Sequence, residues 1–167
     1  MPTVHLLHGL PGVGKTTFAR QLEARHRAMR FTHDEWMTAL FGHNPPAGNF
    51  ADYHQRILAL MWQQTTRLVN LGTDVILDHG FWTRTSRNEA RDRVRELGGE
   101  PKLYRILCAD DIAEARVLSR SEHLAPGVLH INAEALKSFR SRFEPLDPDE
   151  EHIDIVASLM PSSTGPQ

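Results

Sequence analysis

An α/β fold, a parallel sheet covered by helices on both faces, is the class this sequence predicts, and three observations predict it. β-prone runs alternate with segments of helical period along the 167 residues. A glycine-rich turn, Gly9 to Gly14, separates the first strand from the first helix. Breakers fall between the periodic segments, and no run approaches the roughly 18 apolar residues of a membrane helix.

The elements follow in order. Thr3 to Leu7 is a β-prone run, and after the turn Phe18, Ala19, Leu22 and Ala24 continue at helical spacing. Met29 to Thr32 reads as a short strand, Asp34 to Phe41 as a brief helix, and Gly42 to Asn49, with Pro45-Pro46 and Gly48, as a loop. From Asp52 to Leu71, apolar residues at Tyr53, Ile57, Leu60, Met61, Leu68 and Leu71 form an amphipathic stripe, which Gly72 ends. Thr73 to Leu77 is an apolar strand delivering Asp78. Ser86-x-x-Glu89 has the form of a capping box opening a helix to Leu97, closed by Gly98-Gly99. Leu103 to Cys108 is the next strand, and Asp111 to Arg120 the next helix. A Pro-Gly-containing segment, a helix from about Asn132 to Phe143, a strand from about His152 to Ala157 and a polar tail over 161–167 complete one domain, 1–167.

Composition bounds the function classes. The chain is 40% hydrophobic and 24% charged with a formal charge of -2, the balance of an ordinary soluble protein, for which a cytoplasmic location is the default. That charge argues against a large nucleic-acid footprint while leaving room for a short single-stranded end. No signal segment or membrane partner is indicated. The single cysteine, Cys108, forms no disulfide within the chain and reads as a buried inert thiol. The ten histidines are scattered without metal-ligand spacing and read mostly as surface or supporting residues. No oligomeric state is specified.

Gly9-Leu10-Pro11-Gly12-Val13-Gly14-Lys15-Thr16 fits G-x-x-x-x-G-K-[ST] between a strand and a helix, the context in which such a loop holds a nucleoside triphosphate. Its glycines let backbone N–H groups converge on phosphate oxygens, and the helix N-terminus adds partial positive charge. Lys15 is spaced to reach the outer phosphates, the Thr16 hydroxyl to ligate Mg²⁺, and Thr17 to add a phosphate contact.

In parallel sheets ligands lie at the carboxyl ends of the strands, which singles out two acids. Asp78 has the form of a Walker B acid beside Mg²⁺, or of a turn aspartate leading into His79-Gly80. Asp34 is placed either to cap a helix or to take a proton from an attacking hydroxyl, and spacing alone does not choose. Arg116 and Arg120 share a helix face, suited to phosphate and base or to surface ion pairing with Glu114 and Glu122. Trp36, Trp62, Phe81 and Trp82 line an acceptor pocket or belong to the core.

Together the loop, Asp34 in His33-Asp34-Glu35-Trp36, strand-end Asp78 and Arg116-x-x-x-Arg120 resemble the small P-loop kinases near polynucleotide 5′-hydroxyl kinase, chloramphenicol phosphotransferase and zeta toxin, also labelled AAA-type ATP-binding proteins. The resemblance implies a three-layer P-loop NTPase fold with a five-stranded sheet in the order 2-3-1-4-5 and a helical lid at about 121–131. It implies ATP and Mg²⁺ as cofactors, Asp34 as general base, Arg120 steadying the transferring phosphoryl group and Arg116 against the adenine. The acceptor so implied is a small-molecule hydroxyl, contacted by Asp34, Trp36, Asp78 and His79. The alternatives are a nucleic-acid 5′-hydroxyl kinase and a non-kinase ATP-binding switch or slow ATPase. Polynucleotide kinases carry an arginine three residues after the base, where this chain has Met37, which weighs against a nucleic-acid acceptor.

Overall fold

Five parallel strands make one sheet in the order β2-β3-β1-β4-β5 in the computed structural model, which describes residues 1–157. The tail at 161–167 lies outside the described residues. The strands are β1 (Thr3–His8), β2 (Met29–Thr32), β3 (Val75–Gly80), β4 (Glu100–Leu107) and β5 (Ile153–Val156). The helices are α1 (Lys15–His26), α2 (His33–Phe41), α3 (Ala47–Asn70), α4 (Arg84–Glu96), α5 (Asp110–Glu122) and α6 (Ala133–Arg142). Fold class and strand order are those the sequence and its resemblance imply.

Side chains alternate across each strand, so the two faces of the sheet nucleate two cores. Val4, Leu6, Val75, Leu77 and Leu103 pack with Met37, Ile57, Met61, Ala90 and Val94 of α2, α3 and α4. Leu7, Ile76, Tyr104 and Ile106 pack with Phe18, Ala19, Leu22 and Ala113 of α1 and α5. The central strand β1 is buried along its whole length, as a strand covered on both faces must be.

Several boundaries differ from the sequence reading, each for a local reason. Helix α3 begins at Ala47, inside the expected loop, because Pro46 sits as its N-cap residue, before any helical N–H is required. Helix α4 is capped by Thr83, whose side chain accepts the Ser86 N–H, so the cap lies three residues before the expected Ser86 box. Strand β4 starts at Glu100 rather than Leu103 because its early residues pair with Thr3 and Val4. Thr32, not Asp34, is the N-cap of α2, which removes the capping explanation for Asp34.

A buried ion pair ties the end of the chain to α4. Arg87, fully buried, donates to both oxygens of Glu150 at 2.8 and 2.6 Å. Its remaining N–H groups reach the carbonyls of Trp82, Glu144 and Pro145. Arg91 adds a bond to Glu150 at 3.1 Å. With its donors used this way, the guanidinium fixes the turn after β3 against residues 144–150.

Candidate active site

The turn after β1 folds as a phosphate cradle for reasons visible residue by residue. Gly14 has φ 107° at the head of α1, a left-handed conformation that glycine adopts without strain. Gly12 has φ 84°, and a Cβ there would lie 2.3 Å from the carbonyl oxygen of Ala113. The loop therefore rests directly on α5. The Lys15 ammonium donates to the Leu10 carbonyl at 2.8 Å, which holds it inside the turn. Burial lowers its pKa, opposed by the charges of Asp78 and Asp34.

Beside Lys15, Thr16 donates to Asp78 Oδ2 at 2.7 Å, and Thr32 donates to the same oxygen at 3.1 Å. Arg30 in turn donates to the Thr32 hydroxyl and to Glu35. Asp78 is buried, and burial raises its pKa against the pull of Lys15 and the Thr16 bond. A buried carboxylate adjoining a hydroxyl is an all-oxygen donor set, the chemistry Mg²⁺ prefers, so the residues present fit that ion.

Asp34 occupies the first turn of α2, where its negative charge meets the positive helix end. Its side chain is about half exposed and accepts from His33 Nδ1 at 3.0 Å. His33 Nε2 then accepts from His54 Nδ1 at 2.8 Å, a tautomer set fixed by the carboxylate at the chain's end. Arg120 makes no hydrogen bond or ion pair through its side chain among the described residues. Burial lowers its pKa while the charge of Asp34 opposes. Lys15, Asp34, Asp78 and Arg120 thus share one field and one cleft.

That cleft encloses about 940 Å³. One end is lined by Gly12, Gly14, Lys15, Thr16, Asp78 and Arg120. The other is lined by Phe50, His54, Phe81, Trp82, Phe139 and Arg142. The segment after α5 crosses its rim: His43 Nδ1 donates to the Val128 carbonyl at 2.6 Å, and His130 N donates to the His43 carbonyl at 2.8 Å.

A family model described as an AAA domain (AAA_33) matches residues 4–146. The chain belongs to this family. Among solved structures, a protein from Chloroflexus aurantiacus superposes on this AAA-domain chain with a TM-score of 0.75 at 18% identity, over 93% of this chain and 88% of that one. A gluconokinase from Sinorhizobium meliloti gives 0.64 at 14% identity, over 94% and 83%. The APS kinase of Mycobacterium tuberculosis, in complex with AMPPNP and APS, gives 0.61 at 15% identity, over 93% and 88%. No curated protein sequence matches the chain. At these identities the likeness establishes the P-loop NTPase fold.

Most residues singled out in the sequence meet in the AAA-domain cleft, and some do not. Pro11, Thr17 and His79 line it. Arg116 does not: its Nη1 lies 3.4 Å from the Gly12 carbonyl and 3.7 Å from Cys108 Sγ, on the outer side of the loop. Surface pairing with Glu114 is also absent, because Glu114 binds Arg140. Trp36 packs edge-on against Phe31 and adjoins the core, so its expected acceptor contact is corrected to a packing role. Cys108 is only half-buried, not the enclosed thiol expected, because it follows the last residue of β4. His5, His8 and His33 are buried rather than superficial.

Sequence reasoning missed His33, His54, Phe139 and Arg142 as cleft residues. The signal for His33 was adjacency to Asp34. His54 lies 21 residues on and meets His33 only because α3 crosses α2.

Proposed function

We propose that this AAA-domain protein is an ATP-dependent kinase acting on a hydroxyl of a small-molecule acceptor. The observation that carries the reading is the carboxylate of Asp34, open to the cleft and electrostatically coupled to Lys15 and Arg120. A switch without an acceptor has no use for a base there.

In this reading the amides of residues 9–16 hold the β- and γ-phosphates, and Lys15 and Arg120 lie where charge accumulates on the transferring group. Thr16 and Asp78 would hold Mg²⁺, which neutralises phosphate charge when bound. The acceptor oxygen attacks the γ-phosphorus, the bond to the β,γ-bridging oxygen breaks, and the acceptor proton passes to Asp34. His33 orients that carboxylate by occupying Oδ1, and His54 holds His33 in the donating tautomer. The segment at 121–131 acts as the lid, with Gly127 (φ 80°) as its turn. Arg116, against the loop's outer side, is available to the adenine. The chain acts as one domain, and among the described residues no helix is long and apolar enough to cross a membrane.

Met37 is wholly buried, so no side chain at that position reaches an acceptor phosphate, which favours a small molecule over a nucleic-acid end. The test is transfer of label from γ-labelled Mg-ATP in a screen of hydroxyl-bearing metabolites, antibiotics and a short 5′-hydroxyl oligonucleotide. Labelled product lost in Asp34→Asn supports the reading. Hydrolysis that no alcohol alters, in wild type and variant alike, would refute it, and labelling of the oligonucleotide alone would replace the acceptor class.

A further inference from the structure

Three ligand groups meet at the end of the sheet opposite the cleft. His5, His26 and Asp74 each bring one ligand atom within 4.8 Å of the others. We propose that these residues form a second metal site, taking a Zn²⁺-class divalent ion and separate from the phosphotransfer machinery.

The argument starts from an unexplained atom. His5, third residue of the central strand, is 1% exposed, and its buried Nε2 has no hydrogen-bond partner among the described residues. Buried polar atoms are nearly always satisfied, so an unpaired one calls for a partner such as a water or an ion. The other ring nitrogen, Nδ1, lies 3.0 Å from the Tyr104 hydroxyl. With that hydroxyl accepting the Nδ1–H, the Nε2 lone pair is free, the arrangement in which histidines bind metals.

The two other ligands converge from separate elements. Asp74 immediately precedes β3, and its Oδ1 accepts the Thr3 N–H at 2.7 Å, which fixes the carboxylate. His26 is the last residue of α1, and its ring centroid lies 5.1 Å from that of His5. Two consequences follow from its place. The carboxyl end of α1 directs the negative end of a helix dipole at the site, which favours a cation. Because His26 is exposed, a fourth position is open to water. Two imidazoles and one carboxylate form the mixed nitrogen and oxygen set of tetrahedral zinc, whereas Mg²⁺ prefers oxygen alone. Glu100 adds negative charge nearby, partly offset by Lys102, which pairs with it at 3.4 Å.

An ion there would staple the end of α1 to the entry of β1 and β3. The experiment titrates Zn²⁺ into the full chain with saturating Mg²⁺ present, reading stoichiometry by calorimetry and melting temperature in parallel. Zinc-soaked crystals then locate the ion by anomalous scattering. The expected result is one ion per chain, a raised melting temperature and a peak about 2.0–2.1 Å from His5 Nε2. His26→Ala, at an exposed position that leaves packing intact, should weaken binding about tenfold or more. No uptake, uptake unchanged in His26→Ala, or a peak only at His33 and His54 would overturn the proposal. None of these readouts depends on phosphotransfer.

Discussion

One continuous segment, Gly9 to Thr17, builds most of the phosphate end of the cleft, whereas the opposite end draws Phe50 and His54 from α3, Phe81 and Trp82 from the turn after β3, and Phe139 and Arg142 from α6. The first end is mostly backbone, so its geometry is fixed by glycine torsions and a helix terminus. The second is side chains held by tertiary packing. The end suited to phosphate is made by local structure, and the end where we propose the acceptor binds is made by residues far apart in sequence.

Asp34 stands between the two ends, and substituting it gives the largest expected effect. Asp34→Asn should lower kcat by about 10²- to 10⁴-fold, the range for a general base, with ATP affinity unchanged. Lys15→Ala should cost at least about 10²-fold and also weaken ATP binding. Single-turnover transfer and equilibrium titration with a fluorescent ATP analogue separate these outcomes. Equal loss of nucleotide affinity in both variants would break the division between the ends.

Next in size is the support beneath the acceptor end. Arg87 donates to the Trp82 carbonyl and is neutralised by Glu150. Glu150→Gln leaves an uncompensated buried guanidinium and should cost about 3–5 kcal/mol in urea unfolding. The double variant Arg87→Met, Glu150→Leu should recover much of that stability, since a buried pair replaced by apolar groups is often neutral. Acceptor KM should still rise in the double variant, because the Trp82 carbonyl loses its anchor.

A smaller effect is expected from Arg142, whose guanidinium lies 5.7 Å from the Trp82 ring centroid and 5.5 Å from that of Phe139. Arg142→Ala should raise acceptor KM about tenfold, or about 1.4 kcal/mol, and leave the KM for ATP unchanged. Initial-rate kinetics with each substrate varied in turn would show it. A rise in the ATP term instead would move Arg142 to the phosphate end.

The same contrast decides how much of the molecule is legible in its sequence. The alternation of strands and helices, and Gly9, Gly12, Gly14, Lys15 and Thr16 at fixed spacing, are local signals, and local signals survive in sequence. Asp34 was legible as a candidate yet ambiguous, because a carboxylate in a first helical turn is common. Thr32 at the N-cap position removes the capping alternative, and the field shared with Lys15 and Arg120 is what supports the base we propose. Trp36 stayed open between pocket and core, because an aromatic beside a functional acid has no sequence mark telling one from the other; it packs against the core. The His33–His54 bond and the Arg87–Glu150 pair join residues 21 and 63 apart, and no periodicity announces either.

In acid, stability should decline in two pH windows, set by buried histidines and by the Arg87–Glu150 pair. Burial lowers His8 from 6.5 to about 4, outweighing its bond to the Phe81 carbonyl, and burial chiefly lowers His54 to about 4 as well. A histidine whose folded pKa is depressed contributes stability above its unfolded value and loses it as pH falls toward the folded one. Stability should therefore decline from pH 6.5 to about 4, by up to about 1.4 kcal/mol per pH unit for His8. Glu150, held at about 2 by Arg87 rather than at 4.5, follows the carboxylate rule: its contribution persists above 4.5 and is lost as pH falls toward 2. Urea midpoints measured from pH 8 to 3 should show both declines. In His8→Asn, whose amide can still donate to the Phe81 carbonyl, the upper decline should be shallower by about one proton while the lower one remains. An unchanged upper slope in that variant would assign the decline to other groups.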